Sequence, residues 1–180
     1  MSDAISPRPR LVVGKRRFAF VASQFNAPFV QGLLDHALEE LRKLAPNSGT
    51  SWYQVPGAFE IPAAARTLAE TGKYNAIICI GCLLRGDTAH YDVIVNEVTR
   101  GIGQSAQETG VPHAFGVLTC DTLEQAIDRA GLKMGNKGFE AALAAVQMAN
   151  LKADLSSQVL GHRKNKSETS NRTRKRSSRR

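Results

Sequence analysis

Residues 76–80 read Ala-Ile-Ile-Cys-Ile, and this unbroken apolar run decides the fold. An apolar stretch of this kind between Asn75 and Gly81 is typical of a β-strand that is buried on both faces. Such strands belong to parallel sheets with helices packed on each side. Further strands and helices are therefore expected to alternate along the chain.

The chain alternates between strand-like and helix-like patterns on both sides of this run. Before it, residues 28–44 carry the i, i+3, i+4, i+7 apolar stripe of an amphipathic helix. The other predicted elements are strands at 17–22, 50–55 and 113–118, and helices at 60–70, from about 88, at 123–130 and at 137–151. Strands that are each followed by a helix predict an α/β protein with three α-β-α layers and a four-stranded parallel, flavodoxin-like sheet.

The charge of the chain is concentrated at its C-terminal end. The 180 residues fit one domain, which we place at residues 1–158 with an N-terminal extension at 1–15. Residues 1–162 hold 15 Lys/Arg and 15 Asp/Glu, whereas residues 163–180 hold 9 Lys/Arg and one Glu and supply the whole net charge of +8. Because almost nothing apolar follows Leu160, the sequence predicts a basic, disordered tail at 159–180.

The apolar segments are too short for a membrane protein. The longest nearly unbroken run, 76–84, falls far short of the ~20 residues that a membrane-spanning helix needs. Residues 1–17 lack the apolar region of a secretory signal. A cytoplasmic protein without membrane contact is therefore expected.

The cysteine pattern does not favour a metal or redox site. Cys79 and Cys82 form a C-x-x-C pair and Cys120 lies further along the chain, but no second pair and no histidines at zinc spacing follow. Cys79 also lies within the apolar strand run, whereas redox C-x-x-C motifs usually open a helix. Buried thiols in a reducing compartment are favoured, and no metal is expected.

Ligands of parallel α/β sheets bind beyond the carboxyl ends of the strands, so the loops that follow the strands are the candidate site. Residues 81–90 form the most informative of these loops, because they leave a buried strand, turn through glycines and enter a helix. Backbone N–H groups at such a helix start form an anion site, with Asp87 or Thr88 as the N-cap. His90 would lie beside this site and could transfer protons near neutral pH. The alternative is an ordinary helix cap with a solvated or core histidine.

Two other loops add a carboxylate and an aromatic ring to the same edge. Glu60 lies at the start of a helix, where it either favours the helix dipole or accepts hydrogen bonds from ligand hydroxyl groups. Phe25 follows the first strand and could stack on a flat ligand, although phenylalanine is more often a core residue. Motifs for nucleoside triphosphates, serine hydrolases and zinc proteases are missing from the sequence. A metal-free reaction on a small phosphorylated substrate remains open.

Five blocks of sequence resemble the lumazine synthase (6,7-dimethyl-8-ribityllumazine synthase) family, over about residues 16–151. They are Ser-Gln-Phe-Asn at 23–26, Val-Pro-Gly-Ala-Phe-Glu-Ile-Pro at 55–62, Gly-Asp-Thr-Ala-His-Tyr at 86–91, Phe-Gly-Val-Leu-Thr at 115–119, and Arg-Ala-Gly at 129–131 with Gly-Asn-Lys-Gly at 135–138. Their common order and spacing are far more specific than any single block. The chain departs from the family at Gln24 and Phe25, where Arg or Trp is frequent, and at Ala89, where proline is frequent.

The resemblance implies a reaction of riboflavin biosynthesis. Family members condense 5-amino-6-(D-ribitylamino)uracil with 3,4-dihydroxy-2-butanone 4-phosphate and release phosphate and water. The resemblance implies no metal and no organic cofactor. A binding protein of the same fold that lacks catalysis is an alternative, because a binding pocket does not prove turnover.

The resemblance also implies a role for each residue that matches the family's motifs. Phe25 would stack on the pyrimidine, and His90 would move protons during the condensation. Glu60 would bind the ribityl hydroxyl groups. The remaining expected substrate contacts are the pyrimidine-edge residues Ala58, Phe59, Leu83 and Leu84, the substrate-binding residue Cys82, the phosphate-binding residues Asp87 and Thr88, and two residues from a neighbouring subunit, Phe115 and Arg129.

Family members form pentamers, and some assemble into hollow shells of 60 subunits, so a homo-oligomer is expected here. The basic segment 163–180 lies outside the family pattern. It is interpreted either as a solvated extension or as an arm that binds polyanions weakly. A shell that encloses nucleic acid or other cargo through this segment is a further alternative function.

Overall fold

The computed structural model describes residues 15–131 and 135–177, with side chains described as far as residue 158. Its strands are β1 (Arg17–Ser23), β2 (Gly49–Val55), β3 (Ala76–Leu84) and β4 (His113–Cys120). Its α-helices are α1 (Ala27–Leu44), α2 (Ile61–Glu70), α3 (His90–Thr109), α4 (Leu123–Arg129) and α5 (Lys137–Ser177), and a single 3-10 turn (Ala58–Glu60) precedes α2. No helix among these residues is long and apolar enough to cross a membrane.

The four strands form one parallel sheet in the order β2-β1-β3-β4. β1 and β3 occupy the centre, where Phe18 is paired with Ala76 and Ala22 with Ile80. The chain moves outward from β1 to β2 in one direction and from β3 to β4 in the other. The point between β1 and β3 where this direction reverses is where flavodoxin-like folds bind their ligands. The predicted α/β fold class is confirmed.

Two apolar cores lie on opposite faces of the sheet, because successive side chains of a strand point to opposite sides. On one face, α1 and α5 cover Phe20, Ile78 and their neighbours. On the other face, α2 and α3 cover Val21 and Ile77. The central strand β3 is buried from Ala76 to Cys82, as the apolar run predicts for a strand between two helical layers.

The structure extends β3 beyond the predicted end at residue 80. The segment 81–84 was expected to begin a turn, but it stays in the sheet and is paired with Val117–Cys120 of β4. Gly81 allows the side chain of Ile61 to pack closely against the strand, since a Cβ atom at this position would lie 3.1 Å from Ile61. The longer strand carries Cys82, Leu83 and Leu84 to the edge where the predicted site lies.

The last helix also differs from the prediction. The sequence predicts a helix at 137–151 and a disordered tail from 159, whereas α5 continues through Ser177. Residues 152–177 contain no proline and a single glycine, so the chain lacks strong signals that end a helix. The domain boundary predicted at residue 158 therefore falls within a continuous helix.

Gly138 lies where α5 passes directly over α1. A Cβ atom at this position would lie 1.9 Å from the carbonyl oxygen of Leu33. Only glycine allows two backbones to approach so closely. The contact fixes the start of α5 against α1.

Replacement of this glycine is expected to destabilise the fold. Gly138→Ala should lower the free energy of unfolding by about 3 kcal/mol or more, because the backbone of α1 or α5 must move to accept one methyl group. Urea denaturation followed by circular dichroism measures the change. Gly103→Ala in α3 is the matched control, since, apart from the adjoining backbone of its own helix, no atom of the described residues lies within 4 Å of its Cβ position. Equal losses of stability in the two variants would contradict this packing argument.

Candidate active site

A cavity of about 390 Å³ opens at the carboxyl edge of the sheet, between the ends of β1 and β3. Eight of the predicted site residues line it: Phe25, Ala58, Phe59, Cys82, Leu83, Leu84, Thr88 and His90. Asn26, Gly57, Gly86, Tyr91 and Ile94 complete the lining. We call this space the first cavity. It lies at the switch point of the sheet, where the fold favours a ligand.

Asn26 links the carboxyl ends of the two central strands, β1 and β3. Its backbone adopts the left-handed conformation with φ of 60°, which asparagine tolerates better than most residues. Its side-chain Nδ2 donates a hydrogen bond of 2.8 Å to the carbonyl oxygen of Cys82. The sharp turn leaves the ring of Phe25 71% exposed at the cavity. An exposed ring in this place is available to stack on a flat ligand.

The 3-10 turn at Ala58–Glu60 presents a second ring and a carboxylate. Phe59 is 57% exposed and lines the first cavity. Glu60 does not line the cavity, but its Oε2 accepts a hydrogen bond of 2.9 Å from the backbone N–H of Gly57, which does. This bond holds the carboxylate beside the cavity and leaves the carboxylate with further acceptor capacity. The arrangement suits recognition of hydroxyl groups.

The start of α3 differs from the predicted cap. Ala89 is the N-cap and already has helical dihedral angles (φ −64°, ψ −5°), so neither Asp87 nor Thr88 caps the helix. The backbone N–H of His90 instead makes a long 3.4 Å hydrogen bond to Oγ1 of Thr88. Asp87 is exposed in the same segment and does not line the first cavity. His90 begins the helix with its side chain exposed at the cavity.

Arg85 organises the rim of the site and was not predicted to do so. Its guanidinium makes ion pairs of 3.0 Å with Asp92 and 2.7 Å with Asp121, and it lies 4.2 Å from the centre of the Tyr91 ring. These contacts raise the pKa of Arg85 and lower the pKa of the Asp92 carboxyl. Two carboxylates therefore balance this cation. Asp121 is 36 residues from Arg85, so no local pattern could have revealed the pair.

Phe115 and Arg129 lie elsewhere in the chain, along a second cavity of about 720 Å³ beside β4 and α4. The other lining residues are Val117, Leu118, Thr119, Cys120, Gln125, Asp128 and Lys137. Lys137, the first residue of α5, adds a second cation that the sequence reasoning missed. One copy of the chain thus divides ten of the predicted site residues between two separate cavities, and neither Glu60 nor Asp87 lines either of them.

The thiols of the C-x-x-C pair point to opposite sides of β3. Cys79 is buried under α2 and α3, whereas Cys82 faces the core beneath α1 and α5. Burial raises the pKa of each of these thiols to about 12. All three cysteines are free, and no cluster of metal-ligating side chains occurs among residues 15–131 and 135–158. Side chains three residues apart on a strand point to opposite faces and so cannot converge on one ion.

The fold and the first cavity together define a flavodoxin-like α/β protein with a cavity at the switch point of its sheet. Residues 15–153 match the family model of 6,7-dimethyl-8-ribityllumazine synthase. The chain therefore belongs to the 6,7-dimethyl-8-ribityllumazine synthase family, as the sequence blocks predicted.

Curated relatives support this assignment over most of their length. The chain is 51% identical to the 6,7-dimethyl-8-ribityllumazine synthase of Desulfotalea psychrophila over 137 residues, which are 76% of this chain and 88% of that protein. It is 51% identical over 136 residues to the protein of the same name from Chlorobium luteolum, at 75% and 88% coverage. The corresponding protein of Chlorobium phaeovibrioides is 50% identical over 139 residues, also at 75% and 88% coverage.

The buried thiols are expected to be unreactive in the folded protein. Because burial raises the pKa of Cys79 and Cys82, both remain protonated near neutral pH and lack the nucleophilic thiolate. A thiol-reactive chromogenic disulfide should label the denatured chain fully and leave both residues of the native protein unlabelled over the same period. Mass spectrometry of the labelled peptides identifies the sites. Rapid labelling of native Cys79 would contradict its burial.

Proposed function

We propose that this chain condenses 5-amino-6-(D-ribitylamino)uracil with 3,4-dihydroxy-2-butanone 4-phosphate, releases phosphate and water, and so forms 6,7-dimethyl-8-ribityllumazine for riboflavin biosynthesis. Membership of the family supports the reaction. The observation that carries the proposal is the first cavity, which combines exposed aromatic rings, strand-end backbone and His90 at the switch point of the sheet.

The pyrimidine would occupy the first cavity. Phe25 offers an exposed ring face to stack on it, and backbone groups of Ala58, Phe59, Leu83 and Leu84 are near enough to line its edge. The ribityl chain would extend toward Glu60, whose carboxylate is held next to the cavity by Gly57. Cys82 would contribute only to the shape of the cavity, because its buried thiol stays protonated and unreactive.

The phosphate group would bind beside Thr88 and Asp87, at the exposed start of α3. The N-terminal end of this 20-residue helix favours an anion, and no side chain caps it. The nearby Arg85 cannot supply net positive charge, because Asp92 and Asp121 already balance it. A cation must therefore come from elsewhere. Arg129 is the best candidate, since a guanidinium matches the geometry of phosphate oxygens.

Arg129 and Phe115 would reach this site from a second copy of the chain. In one copy they line the second cavity, apart from the first. A contact that brings the first cavity of one copy against the second cavity of the next is heterologous, and such contacts form a ring when the rotation between copies closes. We accordingly propose a homopentamer, with assembly into a 60-subunit shell as the larger form, in the reducing cytoplasm where three free cysteines are stable.

His90 would move protons while the substrates are held together. Attack of an amine on a ketone needs little activation, so alignment of two bound substrates supplies much of the rate. Loss of water and departure of phosphate each require a proton transfer, which an exposed imidazole at the cavity can mediate. The departing phosphate would be stabilised by Arg129 and the start of α3. No step in this scheme calls on a metal or an organic cofactor.

Hybrid assemblies test both the reaction and the shared site. His90→Ala should slow lumazine formation by roughly ten- to a thousand-fold through loss of proton transfer, and Arg129→Ala should mainly raise KM for the butanone phosphate. Lumazine fluorescence measures both rates. Co-assembly of the two variants in equal amounts should restore activity at about a quarter of the sites, because each such site has an intact His90 and an intact neighbouring Arg129.

Separately assembled and then mixed variants that do not exchange subunits are the control for this experiment. They should retain only the sum of their low activities. Full assembly of the hybrid without any gain in rate would show that His90 and Arg129 do not share a site across copies. Wild-type protein that does not exceed the uncatalysed condensation would favour a binding protein of the same fold.

We propose in addition that residues 163–180 bind polyanions. This segment carries all of the net charge of the chain, and α5 continues as a helix through Ser177 toward its end. Basic residues neutralise phosphate groups and release counterions. Repetition of the segment on every copy of an oligomer would strengthen weak contacts by avidity.

Deletion of residues 163–180 should therefore abolish retention on heparin and on immobilised RNA. Retention of the full chain should fall steeply as salt increases, since its affinity would rest on counterion release. A full-length variant with the nine Lys/Arg of this segment replaced by Gln is the matched control for length. Undiminished retention of either altered protein would assign polyanion binding to the neutral body. Lumazine formation should be unchanged in both.

A further inference from the structure

Asn136 occupies a buried position in the turn between α4 and α5. The residue is 7% exposed and is one of the few buried polar residues of the described chain. It forms an isolated antiparallel bridge with Ala130, the residue that follows α4. The bridge brings the residue that follows α4 next to the residue that precedes α5.

The side chain of Asn136 joins three segments. Its Nδ2 donates a hydrogen bond of 2.7 Å to the carbonyl oxygen of Ala130 and a longer one of 3.4 Å to that of Gly32 in α1. Its Oδ1 accepts from the backbone N–H groups of Gly138 at 2.8 Å and Phe139 at 3.2 Å. The amide thereby uses both its donor and its acceptor side, as a buried polar group must. The end of α4, the start of α5 and α1 are fastened at this one side chain.

Two cations flank the bridge. Arg129 immediately precedes Ala130, and Lys137 immediately follows Asn136. The bridge therefore connects the backbone at the end of α4 to the backbone at the start of α5. Both cationic residues line the second cavity. The separation of their positive charges depends on the geometry of the bridge, although Lys137 also makes a 2.6 Å ion pair with Glu140.

We infer that Asn136 is a positioning residue that holds Arg129 and Lys137 at the spacing needed to bind a phosphate ester. This inference rests on the proposed function, because it assigns the anionic substrate group to the second cavity of a neighbouring copy. A phosphate monoester carries close to two negative charges and presents several acceptor oxygens. Long cationic side chains bind such a group well only when their backbones are fixed, since otherwise each loses rotamer freedom on binding.

The donor side of Asn136 can be removed without loss of the helix cap. Serine keeps a short oxygen that can accept from the first N–H groups of α5, but it has no Nδ2 to hold Ala130 and Gly32. Asn136→Ser should weaken the binding of inorganic phosphate to the assembled protein roughly ten-fold, measured by titration calorimetry, because the two cations lose their fixed spacing. KM for the butanone phosphate should rise by a similar factor, and KM for the pyrimidine should stay unchanged.

A second variant distinguishes a specific loss of phosphate binding from simple misfolding. Asn136→Asp preserves size and both acceptor contacts, but it places a carboxylate against the carbonyl oxygen of Ala130. It should weaken phosphate binding at least as much as Asn136→Ser. Asn75→Ala is the control, since Asn75 makes an ordinary hydrogen bond to the N–H of Arg17 at the opposite edge of the sheet. Its phosphate affinity should equal that of the wild type.

The outcomes separate this inference from the proposed function. Wild-type phosphate affinity in either Asn136 variant, even with a lower free energy of unfolding, overturns the inference and leaves Asn136 a purely structural residue. Equal increases in both KM values, or wild-type phosphate binding that does not depend on Arg129, overturn it as well. Arg129-dependent phosphate binding that weakens in the Asn136 variants supports it. If the same wild-type protein forms no lumazine, the proposed function fails independently.

Discussion

Burial of β3 on both faces is the constraint on which the rest of the structure depends. A strand that is apolar from Ala76 to Cys82 must be covered by helices on each side, and these helices require right-handed crossovers between parallel strands. In the observed strand order β1 lies beside β3, and the direction of the chain reverses between them. The first cavity lies at the ends of these two buried strands.

Charge balance at the rim is the reason why we place part of the proposed chemistry on a second copy of the chain. Arg85 faces two carboxylates, Asp92 and Asp121, and serves to join the end of β3 to α3 and to the loop after β4. Exposed ion pairs of this kind each add little stability. Two carboxylates and an aromatic ring nevertheless hold the Arg85 guanidinium in one position. The same contacts neutralise it. The proposed division of labour between copies therefore follows from the use of the local cation for structure.

The periodicity of the sequence was sufficient to predict the class of fold, because a doubly buried strand and amphipathic helices have distinct patterns. The ends of the elements were less predictable. Leu84 remains in the sheet because β4 supplies pairing partners as far as Cys120. Helix α3 begins at His90, and the preceding Ala89 already has helical dihedral angles. Eight of the residues that the resemblance implied for the site line the first cavity, whereas Glu60 and Asp87 do not. Contacts such as that between Asn136 and Gly32, 104 residues apart, have no local signature and depend on the tertiary structure.

The apolar surface at the first cavity connects binding to assembly. Phe25 and Phe59 are more than half exposed, and a buried phenyl ring would gain roughly 2 kcal/mol or more from removal of that surface from water. A fold gains nothing from such exposure, whereas a ligand or a neighbouring chain that covers both rings recovers this free energy. A flat heterocycle can cover one face of a ring, and the rest must be covered by protein. These exposed rings lie beside Arg85, whose charge is already balanced by two carboxylates. The same edge of the sheet is therefore suited to bind both a substrate and a second copy of the chain.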